Sequence, residues 1–541
     1  MAAVRGADVL VRALARVGVR RLFSLSGNHI MPVFDAAFDA GLDILHVRHE
    51  AAAVHMADAW GRLTGEPGVA LLTGGPGHAN GVSALYTALA AESPMLLLSG
   101  EAPLAERNKG AFQEMRQGDV AAPLVKAAFA STSARAIGAD LARAWRHAKS
   151  GRPGPVYLGL PFDVLEAHVE ETDAELPAAG AFEVTPIPFP DAGAQAVLAE
   201  IARARRPLVI AGPAMSGERG RNALRALEEA SGVPALVMES PRGIQDPCLG
   251  ALPAVLAQVD LVVLLGKRLD FTLRFGQPPA LAAACRFVVL DPDPEALRQA
   301  GNALGDPSRL PLASLADPFA AAAALTRHAH KAAGGWRDEV RAAVRHRPEA
   351  WRSVAGRDAV HPAELGRAVQ RRIERSKDAV LVADGGEFGQ WAQACVEAPA
   401  RLINGPAGAI GSALPFALAA KLARPDSDVY AMLGDGTFGF HAAEFDTAVR
   451  AKLPFVAVVG NDACWNAEYQ NQLRAYGAAR AHGCELLPTR YDRVAAAFGG
   501  WGEHVERGAD LPGALERAAA SGLPACLNVS IERRAAPAVH S

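Results

Sequence analysis

Two acidic residues, Asp435 and Asp462, stand where metal chemistry would need them. Gly434-Asp-Gly-Thr437 is followed by a helical stretch, an apolar run and then Asn461-Asp-Ala-Cys-Trp-Asn466. Val429 to Leu433 reads as a short buried strand and Gly434-Asp435-Gly436 as a tight turn. Glu444 to Ala451 has helical spacing, and Phe455 to Val459 reads as a second strand. A strand–helix–strand unit of this kind is parallel and right-handed, so both strands end on one edge. The spacing predicts that Asp435 and Asp462 converge there. Hard oxygen ligands beside exposed backbone N–H groups suit Mg²⁺ bridging to a diphosphate. Gly-Asp-Gly alone is equally a plain turn; the second carboxylate at the next strand end is what favours a metal.

A third acid, Glu50, opens a helical stretch, Glu50-Ala-Ala-Ala-Val-His-Met-Ala-Asp58, after the apolar run Ile44–Val47. A glutamate at a helix start is also a favourable charge against the helix dipole and nothing more. Thr73-Gly-Gly-Pro-Gly77 follows another apolar run, as Gly434-Asp-Gly436 does. Ligands of open parallel sheets gather outside the carboxyl ends of strands, so two such units can face one another across one ligand.

The elements that must carry these residues form three α/β blocks. With 541 residues the chain exceeds one core, and half of its residues are hydrophobic, as sheets covered on both faces require. The expected organisation is three doubly wound parallel-sheet domains, at 1–170, 190–330 and 358–541. An acidic, proline-rich linker lies near 170–193, and a polar, helix-prone stretch from Thr326 to Arg357. A formal net charge of -3 without basic tracts argues against nucleic acid. The six cysteines are scattered with no Cys-x-x-Cys, and no apolar run approaches the roughly 20 residues of a membrane span. The N-terminus shows no signal-peptide core. Together these predict a soluble cytoplasmic protein.

The stretch from Gly434 to Asn466 resembles the signature of thiamine-diphosphate-dependent enzymes, and the resemblance to the acetolactate synthase-like members extends over essentially the whole chain. It implies thiamine diphosphate and Mg²⁺ as cofactors, with Asp435, Asp462 and the backbone carbonyl of Cys464 as metal ligands. Close relatives usually carry Asn where this chain has Asp462. Glu50 matches the glutamate that contacts a pyrimidine ring nitrogen and promotes loss of the thiazolium proton; the coenzyme supplies the electron sink. Asn404-Gly-Pro-Ala-Gly408-Ala-Ile410-Gly resembles the Gly-Ala-Met-Gly segment, so Gly408 would offer its carbonyl to the pyrimidine and Ile410 would wedge the two rings apart. Glu387 and Phe388, with Gly434, Gly436 and Thr437, belong to the diphosphate side, and Trp465 is a further cofactor-binding residue. Pro76 and Asn80 match the Gly-Pro-Gly-x-x-Asn turn near the pyrimidine. The first and third domains are then the pyrimidine- and diphosphate-binding folds. The resemblance further implies a homodimer at least, often a dimer of dimers, with Glu50 and Asp435 of each site on different chains.

The substrate side is less specific. His29, in Gly27-Asn-His-Ile30, resembles the proton-transfer histidine of benzaldehyde-lyase-like enzymes, and is otherwise a structural histidine. Gly110-Ala-Phe-Gln113-Glu resembles a segment shared by acetolactate synthases and 2-hydroxyacyl-CoA lyases, placing Phe112 and Gln113 beside the substrate. Trp465 to Gln470 would form a lid whose alternating Asn466, Glu468 and Gln470 set specificity. Gly266 to Arg274 resembles an FAD-contacting segment that survives in relatives binding no flavin, so FAD is possible but not favoured. The expected activity is carboligation or cleavage of 2-keto acids or aldehydes. The alternatives are a 2-keto acid decarboxylase, a 2-hydroxyacyl-CoA lyase, whose acyl-CoA substrate the short C-terminal tail Arg533–Ser541 disfavours, and a noncatalytic thiamine-diphosphate-binding protein.

Overall fold

A computed structural model describes residues 3–331 and 334–539. Each of the three expected sheets is present, and every strand pair within them is parallel. The first runs in spatial order Asp43–His46, Arg21–Leu25, Gly68–Leu72, Met95–Glu101, Pro155–Pro161, Ala127–Ala130. The third runs Ala400–Ile403, Ala379–Ala383, Asp428–Gly434, Val456–Asn461, Ala525–Ser530, Trp501–Val505. In both, the second strand in sequence lies at the edge beside the first, the third follows on the first strand's other side, and the sixth precedes the fifth. The central sheet has the shorter order Ala235–Val237, Pro207–Ala211, Leu261–Leu265, Arg286–Asp291, Leu312–Leu315.

Both faces of these sheets are covered, and the strands are accordingly continuous apolar runs; Leu261 to Leu265 is buried throughout. The first and third domains share one core. Helix Glu50–Thr64 packs on helix Ala413–Ala423, and their alanines let the backbones approach closely. Arg62 locks the pair: it binds Asp58 on its own helix, donates to the carbonyl of Ile403 at 2.7 Å and lies over the Phe416 ring. The central domain docks on the first through Arg152, which reaches Glu92 and Asp291 in a buried triad.

Several expectations change in detail. Gly434-Asp435-Gly436 is not a free turn: the strand ends at Gly434 and a helix, Asp435–His441, begins at once. The segment expected as linker packs onto the first domain, where Phe182 meets Trp145 edge-on and His168–Glu170 pairs with Ala3–Arg5. Thr326 to Arg357 contains helices Trp336–Arg345 and Ala350–Ser353; its residues 332 and 333 lie outside the described residues. Among the described residues no helix is long and apolar enough to cross a membrane.

Candidate active site

In the first and third sheets the strand order reverses between the first and third strands, and the expected site residues lie at the carboxyl ends flanking that point. In the third domain, strand Ala379–Ala383 leads into Asp384-Gly385-Gly386, strand Asp428–Gly434 into Asp435, and strand Val456–Asn461 into Asp462. In the first, strand Arg21–Leu25 leads to His29, strand Asp43–His46 to Glu50 and strand Gly68–Leu72 to the Thr73–Gly77 turn.

The metal loop is held tightly. The Cys464 N–H donates to Asp435 at 3.2 Å, and the Ala463 N–H to the Asn461 side chain at 3.1 Å. Ala463 adopts φ 53°, a conformation that costs a non-glycine residue and turns the loop back toward Asp435. Asp435 is buried and Asp462 lies close enough that the two charges oppose each other. Burial pushes Asp435 up to about 6, and burial with the Asp435 charge pushes Asp462 up to about 7. Neither has a basic side chain within ion-pair distance among the described residues. Two carboxylates so placed fit a divalent cation completed by a backbone carbonyl and an external oxygen ligand. No cluster of three acidic, histidine or cysteine side chains able to hold a metal occurs among the described residues, so further ligands would come from backbone and ligand.

Gly436 shows why this helix starts with glycine: a Cβ there would lie 2.6 Å from the Trp465 ring. Trp465 is fixed in turn by its N–H to Cys484 and by Phe440 edge-on. The Thr437 hydroxyl donates to the carbonyl of Gly434 at 3.0 Å. On the neighbouring strand end, helix Gly386–Cys395 starts without a side-chain cap, and among the described residues the N–H groups of Gly386, Glu387 and Phe388 meet no acceptor, as an anion site requires. The Phe388 ring itself packs against Gly460, and the Glu387 carboxylate faces inward toward Arg242 of the central domain at 3.3 Å. Gly408 lies against Pro241 of the same central-domain loop, and Ile410 packs on Gly385.

Asp384 opens the segment through Phe388 expected to lend backbone N–H groups to the diphosphate, and it is its side chain, given no role from the sequence, that organises this side. Its carboxylate accepts from the N–H groups of Gly385 (2.7 Å), Gly411 (3.0 Å) and Ala413 (3.1 Å), tying the diphosphate-side turn to the Gly408–Ala413 segment. An acid at a strand end before two glycines was the available signal. Arg242 and Arg533 carried none. Arg533 donates to the carbonyls of Asp462 (3.2 Å) and Ala463 (3.4 Å), so the C-terminal segment braces the metal loop.

In the first domain Glu50 is buried and accepts a hydrogen bond from the Asn80 amide at 3.1 Å. Helix Pro76–Ala90 carries Asn80, and a Cβ on Gly77 would come within 3.5 Å of the Glu50 carboxylate. His29 Nδ1 lies 3.4 Å from the Thr73 hydroxyl, and its ring stacks on Phe112 at 6.0 Å. Burial lowers its pKa below the usual histidine value. Gln113, at φ 56°, lies over Gly75. The lid residues differ from expectation: Asn466–Tyr476 is a helix, so Asn466 and Gln470 share a face and bond at 3.0 Å, while Glu468 turns to Asn471.

Within one chain, Glu50 and Asp435 are joined by no hydrogen bond among the described residues. The first and third domains are linked instead by Arg48 N–H to Glu444 (3.0 Å), Arg62 to Ile403 and Arg450 to the carbonyl of His46.

Sequence models of the thiamine pyrophosphate enzyme match three segments: the N-terminal TPP binding domain at 4–121, the central domain at 194–309 and the C-terminal TPP binding domain at 384–529. The chain belongs to the thiamine pyrophosphate enzyme family. It is 33% identical over 537 residues to the acetolactate synthase large subunit of Mycobacterium tuberculosis, covering 96% of this chain and 94% of that protein. It is 32% identical to the 2-hydroxyacyl-CoA lyase 2 of Homo sapiens, covering 94% of this chain and 86% of that protein. The lyase of Danio rerio is 31% identical over 93% of this chain and 87% of its own length. The chain is thus a thiamine-diphosphate-dependent enzyme that makes or breaks carbon–carbon bonds.

Proposed function

We propose that this enzyme is a Mg²⁺-dependent carboligase and lyase of 2-keto acids or aldehydes, acting in the manner of acetolactate synthases. The observation that carries the proposal is the juxtaposition of buried Asp435 and half-buried Asp462 at neighbouring strand ends, next to the strand end from which helix Gly386–Cys395 starts uncapped. Thiamine diphosphate, when bound, supplies an acidic carbon that adds to carbonyls and accepts the electron pair of a breaking carbon–carbon bond. Asp435, Asp462 and the Cys464 carbonyl would hold Mg²⁺ against the diphosphate. Glu50, oriented by Asn80, would exchange a proton with a pyrimidine nitrogen, while Gly408 receives the pyrimidine amino group and Ile410 supports the bend. His29, neutral at pH 7 because burial lowers its pKa, can accept a proton from the substrate oxygen. Gln113 would orient the second carbonyl.

A second copy of the chain completes the site in this reading. Helix Pro76–Ala90 leaves Pro76, Ala79, Asn80, Ser83 and Tyr86 exposed along one side, at the spacing of a single helical face. That face carries the residue that holds Glu50, which supports its burial against a partner's third domain in a homodimer, or a dimer of dimers. Flavin is not favoured in the proposal: at the carboxyl edge of the central sheet Arg152 of the first domain binds Asp291, and Glu92 accepts the Ala214 N–H. A cytoplasmic location belongs to the same proposal and rests on the scattered cysteines.

The similarity to 2-hydroxyacyl-CoA lyase 2 over nearly the whole chain supports a second reading, cleavage of a 2-hydroxyacyl thioester. Incubation with Mg²⁺, thiamine diphosphate and pyruvate, with and without an acceptor aldehyde, separates the cases by product mass. A 2-hydroxy ketone or acetohydroxy acid is expected. Acetaldehyde alone would identify a decarboxylase, and cleavage confined to a 2-hydroxyacyl-CoA would establish the lyase.

A further inference from the structure

Beneath the Thr73–Gly77 turn lies a buried polar brace centred on Gln117. Its side-chain carbonyl accepts the Gly75 N–H at 2.7 Å, and its amide donates to the carbonyl of Gly100 at 3.0 Å and to the Tyr157 hydroxyl at 3.1 Å. Tyr157 donates onward to Glu101 at 2.5 Å. Gly75 takes φ 59° and ψ -115°, open to glycine but strained for other residues, and it is the cap from which helix Pro76–Ala90 starts. Asn80, one turn further along, holds Glu50. Gln117 opens helix Gln117–Ala121 directly after the loop that bears Gln113, and a Cβ on Gly75 would lie 2.8 Å from the Gln113 side chain. That loop roofs a cavity of about 820 Å³ lined by Glu101, Arg107, Gln117 and Tyr157. Gln117 is nonetheless buried, and its hydrogen bonds fix its position.

We propose that Gln117 is a positioning residue that couples the substrate-side loop to the cofactor-side turn, setting the start of the Asn80 helix and hence the placement of Glu50. The three hydrogen bonds use its carbonyl and both amide protons, so leucine or methionine of similar size cannot replace it. The inference rests on Glu50 acting at the cofactor, but its primary test does not need the cofactor. In the cofactor-free full chain, Gln117→Met is expected to speed amide hydrogen exchange across 74–80 at least about 10-fold. Leu141→Ala, in the outer core of the same domain, serves as the control for a general loss of stability. In the loaded enzyme Gln117→Met is expected to lower kcat at least about 10-fold while KM for the keto acid stays within about twofold. Wild-type exchange in Gln117→Met, or the same local change in Leu141→Ala, would overturn the assignment. Should Gln117→Met fail to fold, Tyr157→Phe is read instead: a rise of about threefold in exchange at 74–80 supports the brace, and an unchanged rate rejects it. If the chain proves inert toward every keto acid, the exchange result still stands, and only the proposed activity fails.

Discussion

Glu50 and Asp384 are both buried carboxylates just past a strand end, yet their surroundings suit opposite tasks. Asp384 has its lone pairs filled by backbone N–H groups from two segments, so it is a fixed structural anion. Burial nonetheless pushes its pKa up to about 6. Asp384→Asn would turn an amide donor toward N–H groups that need an acceptor, at a cost of about 1–3 kcal/mol. Calorimetric titration should show weaker thiamine diphosphate binding together with a lowered unfolding midpoint; unchanged affinity would separate Asp384 from the cofactor. Glu50 keeps one side-chain partner, Asn80, and has acceptor capacity left for a ligand. Glu50→Gln is expected to slow proton exchange at the cofactor's reactive carbon by about 10²-fold or more, followed by NMR in deuterated buffer. Exchange at the parent rate would remove Glu50 from the chemistry.

At the level of elements, the buried strands were readable because sheets covered on both faces leave continuous apolar runs: the expected Val429 to Leu433 lies within strand Asp428–Gly434, and Phe455 to Val459 overlaps strand Val456–Asn461. Gly434-Asp-Gly436 reads as a turn, yet a helix starts at Asp435 with Trp465 packed on Gly436, a contact between residues 29 apart in sequence that no local pattern reports. Asn466, Glu468 and Gln470 alternate in sequence, but the segment is helical, so Glu468 leaves the face that Asn466 and Gln470 share. Arg533 and Glu444 reach the site through tertiary contacts alone. The Trp465 contact has a direct consequence. Gly436→Ala must displace the indole, and with it the chain between Asp462 and Asn466. Its expected signature is a shifted tryptophan emission in the free protein and a Mg²⁺ requirement raised about 10-fold in cofactor titrations. Parent-like emission and Mg²⁺ dependence would show that the ring can move aside freely.

At the scale of the whole molecule, the interface between first and third domains buries His55 and His441, and His441 lies edge-on to His55 and to the exposed His49 at 5.7–5.8 Å. Burial lowers His55 and His441 to about 3, with Arg62 and His49 adding to the effect on His55. Between the ordinary histidine pKa of about 6.5 and about 3, the unfolded chain therefore binds more protons than the native one. Stability falls on acidification through that window, by up to about 1.4 kcal/mol per pH unit for each histidine. Urea midpoints compared at neutral and mildly acid pH should show this slope, and His441→Leu should flatten it; an equal slope in both proteins would assign the acid sensitivity elsewhere. The same interface binds the Glu444 carboxylate to the Arg48 N–H, so the helix that follows Asp435 abuts the residues that precede Glu50 in one polypeptide. If each protomer lends these two acids to opposite catalytic centres, inactive Glu50→Gln and Asp435→Asn preparations would rescue one another when their subunits are exchanged. Random reassociation would return about a quarter of the parental rate, because half of the mixed pairs are hybrids and each hybrid retains one undamaged centre.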